Sequence, residues 1–140
     1  MARVKLIELE NYKYLTNIPV RIYDLNYGVH VGISEVVNII HEVRYKLFES
    51  LGFDELNLGN SKTKIVISDF VINMKKEILI GKDLEVHSHI DDIIEKGFRI
   101  FHKICRANDV FAIVETGLVT IDKDKNTACK VPDEFLQKIN

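Results

Sequence analysis

Apolar residues recur at helical spacing over only one long window, residues 34–51. Val36, Val37, Ile39, Ile40, Val43, Leu47, Phe48 and Leu51 follow the i, i+3, i+4, i+7 rhythm but spread over a wide arc, so this helix should be covered on more than one side. Ser34 stands where an N-cap belongs, and Glu35 falls in the first turn, where the helix dipole favours an anion. Gly52 followed by Phe53 has the form of a Schellman stop, a left-handed glycine with an apolar residue behind it.

Elsewhere the pattern is extended. An apolar run over 18–23 precedes the helix, and residues 64–73 are rich in Ile, Val and Phe. Residues 84–91 alternate, with Leu84, Val86 and Ile90 on one face and Glu85, His87, His89 and Asp91 on the other. Runs over 97–105 and 110–121 complete the set, with turns expected at 81–83, 92–96 and 107–109. Residues 122–126 form a charged turn, and Pro132 suits the first position of a short terminal helix. The order is strand, long apolar helix, then four consecutive strands expected to form an antiparallel meander. That order gives a single α+β domain over 1–140. One helix cannot cover both faces of a five-stranded sheet, so a second copy of the chain should bury the rest, as a homodimer or homotetramer.

Composition narrows the function classes. Among 140 residues, 19 Lys and Arg against 21 Asp and Glu give a net charge of −2, which lacks the basic excess of a nucleic-acid binder. At 46% hydrophobic and 29% charged, the chain can build a core. No apolar run is long enough to span a bilayer, and the opening Met1-Ala2-Arg3-Val4-Lys5 leads into no signal-peptide core. Cys105 and Cys129 lie far apart, with neither a CxxC nor metal-ligand spacing. A cytoplasmic protein with free thiols is expected.

Candidate chemistry concentrates in Asp24-Leu25-Asn26-Tyr27-Gly28-Val29-His30-Val31-Gly32, between the first strand and the helix. A carboxylate, an amide, an imidazole and two glycines lead there into a helix start, whose free N–H groups are ready anion donors. The same residues also suit an ordinary polar turn that needs Asn and Gly for positive φ.

The run from Pro19 to Asn26, with His30-Val31, Ile40-His41-Glu42-Val43-Arg44 and Leu51-Gly52, resembles the hotdog-fold acyl-CoA thioesterases of the 4-hydroxybenzoyl-CoA thioesterase type. Lys76-Glu77-Ile78 and Gly81-Lys82-Asp83-Leu84 extend the similarity, which covers roughly residues 18–121. The resemblance implies a long central helix wrapped by an antiparallel sheet. It also implies dimers joined edge to edge, with active sites at the subunit interface. The reaction it implies is hydrolysis of an acyl-CoA or acyl-carrier-protein thioester, with no cofactor beyond the coenzyme A of the substrate. The Val31 N–H would polarise the carbonyl, and a carboxylate would act as nucleophile or activate water.

The chain departs from that pattern where the chemistry is concentrated. Asn26 replaces the second acid of D-x-D, and an amide is neither base nor nucleophile, so it can only orient water or bond the carbonyl. Gly32-Ile33 follows where Asn-Asn is frequent, and Val29 stands where glycine is frequent. Three residues could supply the missing base. Glu42 matches the acid of the helix motif and sits beside the apolar arc, a partly desolvated place, unless it simply pairs with Lys46. His30 is an imidazole suited to neutral pH, unless it anchors the loop. Asp24 is better suited to bracing the loop through backbone N–H groups. Gly28 and Tyr27 complete the candidate substrate-binding set, and Tyr23 and Tyr27 either line an acyl pocket or pack.

Other features weigh less. His87 and His89 share a strand face, but two ligands do not make a metal site. His41 and His102 carry no motif, and Lys75, Lys76, Lys82 and Arg99 could meet coenzyme A phosphates. Two further functions compete with hydrolysis. One is a hotdog domain that binds an acyl thioester without cleaving it, which Asn26 and Ile33 favour. The other is a hotdog hydratase or dehydratase, whose D-x-N…H motif normally has a proline after the Asn and its His one residue closer.

Overall fold

The computed structural model describes residues 2–140, so Met1, where the expectation about a leader begins, lies outside the described residues. Strand β1 (Tyr14–Ile18) and a 3-10 turn (Ile22–Asp24) precede helix α1 (Ile33–Ser50). Strands β2 (Thr63–Met74), β3 (Leu84–Ile94), β4 (Gly97–Arg106) and β5 (Asp109–Asp122) follow. A two-residue strand, β6 (Thr127–Ala128), and helix α2 (Asp133–Ile139) close the chain. All pairings are antiparallel, in the order β1-β3-β4-β5-β2, with β6 on β5. This is the hotdog architecture, α+β, with a sixth short strand beyond the five expected.

Four expectations about the elements are corrected. The first strand ends at Ile18 rather than running over 18–23. Pro19 has no N–H for a ladder, and the next residues turn instead: the Asp24 carboxylate accepts the Arg21 N–H at 2.8 Å, and the Asp24 N–H donates to the Arg21 carbonyl at 2.9 Å. The meander covers only β3, β4 and β5, because β2 lies at the far edge against β5. Gly32 is the N-cap of α1 and Ser34 lies inside it, its hydroxyl spent on the Glu35 carboxylate at 2.6 Å. The helix stop is as the sequence indicates: Gly52 has φ 84, and the N–H groups of Phe53 and Gly52 donate to the Phe48 and Glu49 carbonyls at 2.8 and 3.0 Å, a Schellman pair. Pro132 caps α2 one position before the place assigned to it.

Helix α1 buries Val36, Ile39, Ile40, Val43, Leu47 and Phe48 against the sheet. Each fully buried side chain of this size contributes about 1.5–3 kcal/mol. The core divides into two apolar clusters. One is around Val36, Ile40, Val86 and Ile104; the other, around Phe48, Phe98 and Phe135, is roofed by α2. Residues 4–12 cross the outer face of the sheet. There the Leu6 N–H donates to Asn73 Oδ1 (2.7 Å), Asn73 Nδ2 donates to the Val4 carbonyl (2.9 Å), and Glu8 pairs with Lys103 (3.0 Å). Part of the face expected to need a second subunit is therefore covered by the chain itself. No helix among the described residues is long and apolar enough to cross a membrane.

Candidate functional site

The segment before α1 folds on itself. Leu25 and Val31 form an antiparallel bridge, the Asn26 N–H donates to the His30 carbonyl (2.9 Å), and the Val29 N–H donates to the Asn26 carbonyl (3.0 Å). Asn26 Oδ1 accepts the Gly28 N–H at 2.9 Å. His30 Nδ1 lies 3.2 Å from the Gly28 carbonyl, and its Nε2 lies 3.4 Å from Asn26 Nδ2. A carbonyl can only accept, so the network assigns the proton to Nδ1 and leaves the Nε2 lone pair facing the Asn26 amide. At 3.4 Å that second contact is weak and readily exchanged for water.

Neither glycine of the segment is left-handed; Val29 is, at φ 65. Gly28 and Gly32 serve close approach instead. A Cβ on Gly28 would meet the His30 ring at 2.9 Å, and one on Gly32 would overlap the Glu35 carboxylate.

The Val31 N–H, implied as the carbonyl-polarising donor, donates to the Ile78 carbonyl at 2.9 Å and is not free. The first bond within α1 runs from the Val36 N–H to the Gly32 carbonyl. The amides of Ile33, Ser34 and Glu35 therefore have no acceptor within the helix, which moves the donor site two to four residues on.

The proposed bases are not brought together. Asn26, His30, Val31, Gly32 and Ile33 line one cleft with 74–77. Asp24, Glu35 and Glu42 line another with Arg21 and Asn38. Asp24 is buried and caps the Arg21 turn, the bracing role. Glu42, its side chain 37% exposed, lies 3.4 Å from Arg21 rather than pairing with Lys46. Tyr27 stands fully in solvent and Tyr23 is exposed, its hydroxyl against Arg21. Glu35, read from sequence only as a first-turn acid, has its carboxylate folded over Gly32 at the helix start. Its spacing three residues after Gly32 was the available signal.

A second feature escaped the sequence. Ile33, Val37 and His41 form one face of α1, and between it and edge strand β2 runs an apolar groove floored by Ile67, Phe70 and Ile72, where the His41 ring meets Phe70 edge-on. Ile33 lines both this groove and the His30 cleft. Arg44, itself buried, donates through Nη2 to His41 Nδ1 (2.9 Å) and through Nε to Glu55 (2.9 Å). Burial first, and then the Arg44 charge, hold the His41 imidazole below its ordinary pKa.

The remaining candidates scatter. Lys75 and Lys76 border the His30 cleft, and Lys76 pairs with Asp109 at 2.6 Å. Arg99 is committed to Asp69 and Glu115, and the backbone carbonyl of Lys82 accepts from Arg106 Nε at 2.8 Å. His89 lies 3.7 Å from Asp91, and His87 packs on Tyr12. Both cysteines are free thiols.

The fold recurs in solved structures. A 1,4-dihydroxy-2-naphthoyl-CoA thioesterase from Synechocystis is 16% identical with TM-score 0.80, over 90% of this chain and 94% of that one. A thioesterase from Thermus thermophilus, complexed with coenzyme A and zinc, is 18% identical with TM-score 0.79, over 94% of each chain. A comparison with curated proteins finds no match. The family model of the thioesterase-like superfamily matches residues 20–139, and the chain belongs to that superfamily.

Proposed function

We propose that the protein hydrolyses an acyl-CoA thioester to the free acid and coenzyme A, acting in the cytoplasm, where its two free thiols would persist. The observation that carries this reading is the shared residue Ile33. It joins a cleft holding an imidazole, an amide and the free N–H groups of a helix start to an apolar groove of about 520 Å³. A thioester carbonyl set against the amides of Ile33 and Ser34 would be polarised there. Its acyl group would lie in the groove, and Lys75 and Lys76 would face the phosphates.

His30 is the base in this mechanism. Its Nε2 takes a proton from a water held by Asn26 as the water oxygen attacks the carbonyl carbon. The tetrahedral intermediate then collapses, the C–S bond breaks, and the coenzyme A sulfur leaves with the proton returned by His30. The Gly28 carbonyl holds Nδ1–H and so keeps the tautomer this requires. Water and the substrate's own thiol leaving group suffice, without a cofactor. Two copies paired along β2 would wall the open side of the groove, in keeping with a homodimer.

The test is hydrolysis of short, long and aromatic acyl-CoAs, followed with a thiol-trapping reagent. His30→Gln is expected to lose about 100-fold or more in kcat, whereas Glu42→Gln, whose carboxylate lies in the other cleft, stays within a few-fold. Full activity in His30→Gln would remove the base. A second reading, binding without cleavage, is favoured by Asn26 in place of a carboxylate and by the committed Val31 N–H. It predicts acyl-CoA binding with no turnover on any substrate.

A further inference from the structure

The apolar groove carries one polar side chain whose orientation is fixed from behind. His41 stands at its far end, about 12 Å of helix axis from Ile33. Its Nδ1 accepts from Arg44 Nη2 at 2.9 Å, and Arg44 is anchored by Glu55 at 2.9 Å. An arginine can only donate. His41 Nδ1 must therefore be the bare nitrogen, and Nε2 must carry the hydrogen. The ring packs edge-on against Phe70, with centroids 6.1 Å apart, which further limits how it can turn. Apart from this imidazole, the groove is lined by Ile33, Val37, Ile67, Phe70 and Ile72. A ligand that is apolar throughout would satisfy every wall and leave the Nε2–H without an acceptor, whereas an oxygen at the ligand's far end would give it one.

We infer that His41 is a specificity-determining residue that selects acyl groups carrying an oxygen acceptor at the end remote from the thioester. The selection rests on the acyl-CoA reading above, and it concerns binding rather than the chemical step. The Arg44–Glu55 pair supplies the rigidity: the donor is aimed before the ligand arrives, so little ordering is lost on binding.

The experiment compares decanoyl-CoA with its terminally hydroxylated counterpart, by calorimetric binding and by hydrolysis, in the wild type, His41→Leu and His41→Gln. The wild type is expected to bind the hydroxylated thioester about fivefold or more tighter, the scale of one net hydrogen bond. His41→Leu should bind both equally. His41→Gln, whose amide oxygen can accept from Arg44 while its N–H₂ donates onward, should restore the preference. Equal binding by the wild type, or a preference that survives in His41→Leu, overturns the inference. Binding that shows the preference without any hydrolysis supports the inference while overturning the thioesterase reading. If neither thioester binds because a second copy fills the groove, the inference falls.

Discussion

At the residue scale Val29 is the position under most strain. Its φ of 65 places a β-branched side chain in the left-handed region, where the Cβ crowds the following carbonyl at a cost of about 1–2 kcal/mol. Glycine adopts this conformation freely but loses about 0.5–1 kcal/mol more backbone entropy on folding. Val29→Gly is therefore expected to raise the unfolding free energy by about 0.5–1 kcal/mol, read as a higher urea midpoint at an unchanged m-value. A lower midpoint would mean that the Val29 side chain makes contacts worth more than the strain. The composition of this segment was legible, but its division of labour was not. Positive φ belonged to the valine, and the two glycines make room for His30 and Glu35. Nor could residue types alone show that the Val31 N–H is committed to Ile78, since that bond joins segments far apart in the chain.

At the scale of elements, the helix was readable because its signals are local. The apolar rhythm of α1 and the Gly52 stop depend on residues within a few positions of one another. Strand order depends on distant pairings, which is why β2 could be drawn as a strand but not placed. Its place at the edge has a consequence. The 55–58 loop pairs only the start of this twelve-residue strand, through the Leu58 N–H on the Thr63 carbonyl and the Ile65 N–H on the Glu55 carbonyl; beyond Ile65, where Val66 and Ile67 are exposed, β2 presents an open edge of the kind proteins cover or blunt. A second β2 running antiparallel across a two-fold axis would satisfy it. Lysines introduced at Val66 and Ile67 would bring like charges together across such a pairing. Sedimentation is expected to show a dimer for the wild type and a monomer for the double variant. A monomeric wild type, or a dimer that survives both lysines, would place any association elsewhere.

The two apolar clusters of the whole molecule are separated by a polar layer to which four elements each contribute one residue. These are Arg44 from α1, Ser88 from β3, His102 from β4 and Thr116 from β5, all buried. His102 faces Ser88 across the β3–β4 pairing with its Nδ1 2.7 Å from the hydroxyl. Arg44 Nη1, His102 Nε2 and Thr116 Oγ1 have no partner among the described residues, so the layer gives up hydrogen bonding that an unfolded chain would recover from water. Burial first, and then the Arg44 charge, hold the His102 imidazole down to about 3. An unfolded histidine titrates at about 6.5. Between those values the unfolded chain binds a proton that the folded one refuses. Stability is therefore complete above about pH 6.5 and falls as the solution is acidified, by up to about 1.4 kcal/mol for each pH unit. His41, also lowered, adds in the same direction. Urea midpoints measured at neutral pH and near pH 5 should fall steeply for the wild type, and His102→Gln should flatten that dependence even if it is less stable at neutral pH. An unchanged slope in the variant would show that the protons are taken up elsewhere. A flattened slope would make His102 the main source of the acid sensitivity, with the polar layer setting the low-pH limit of the fold.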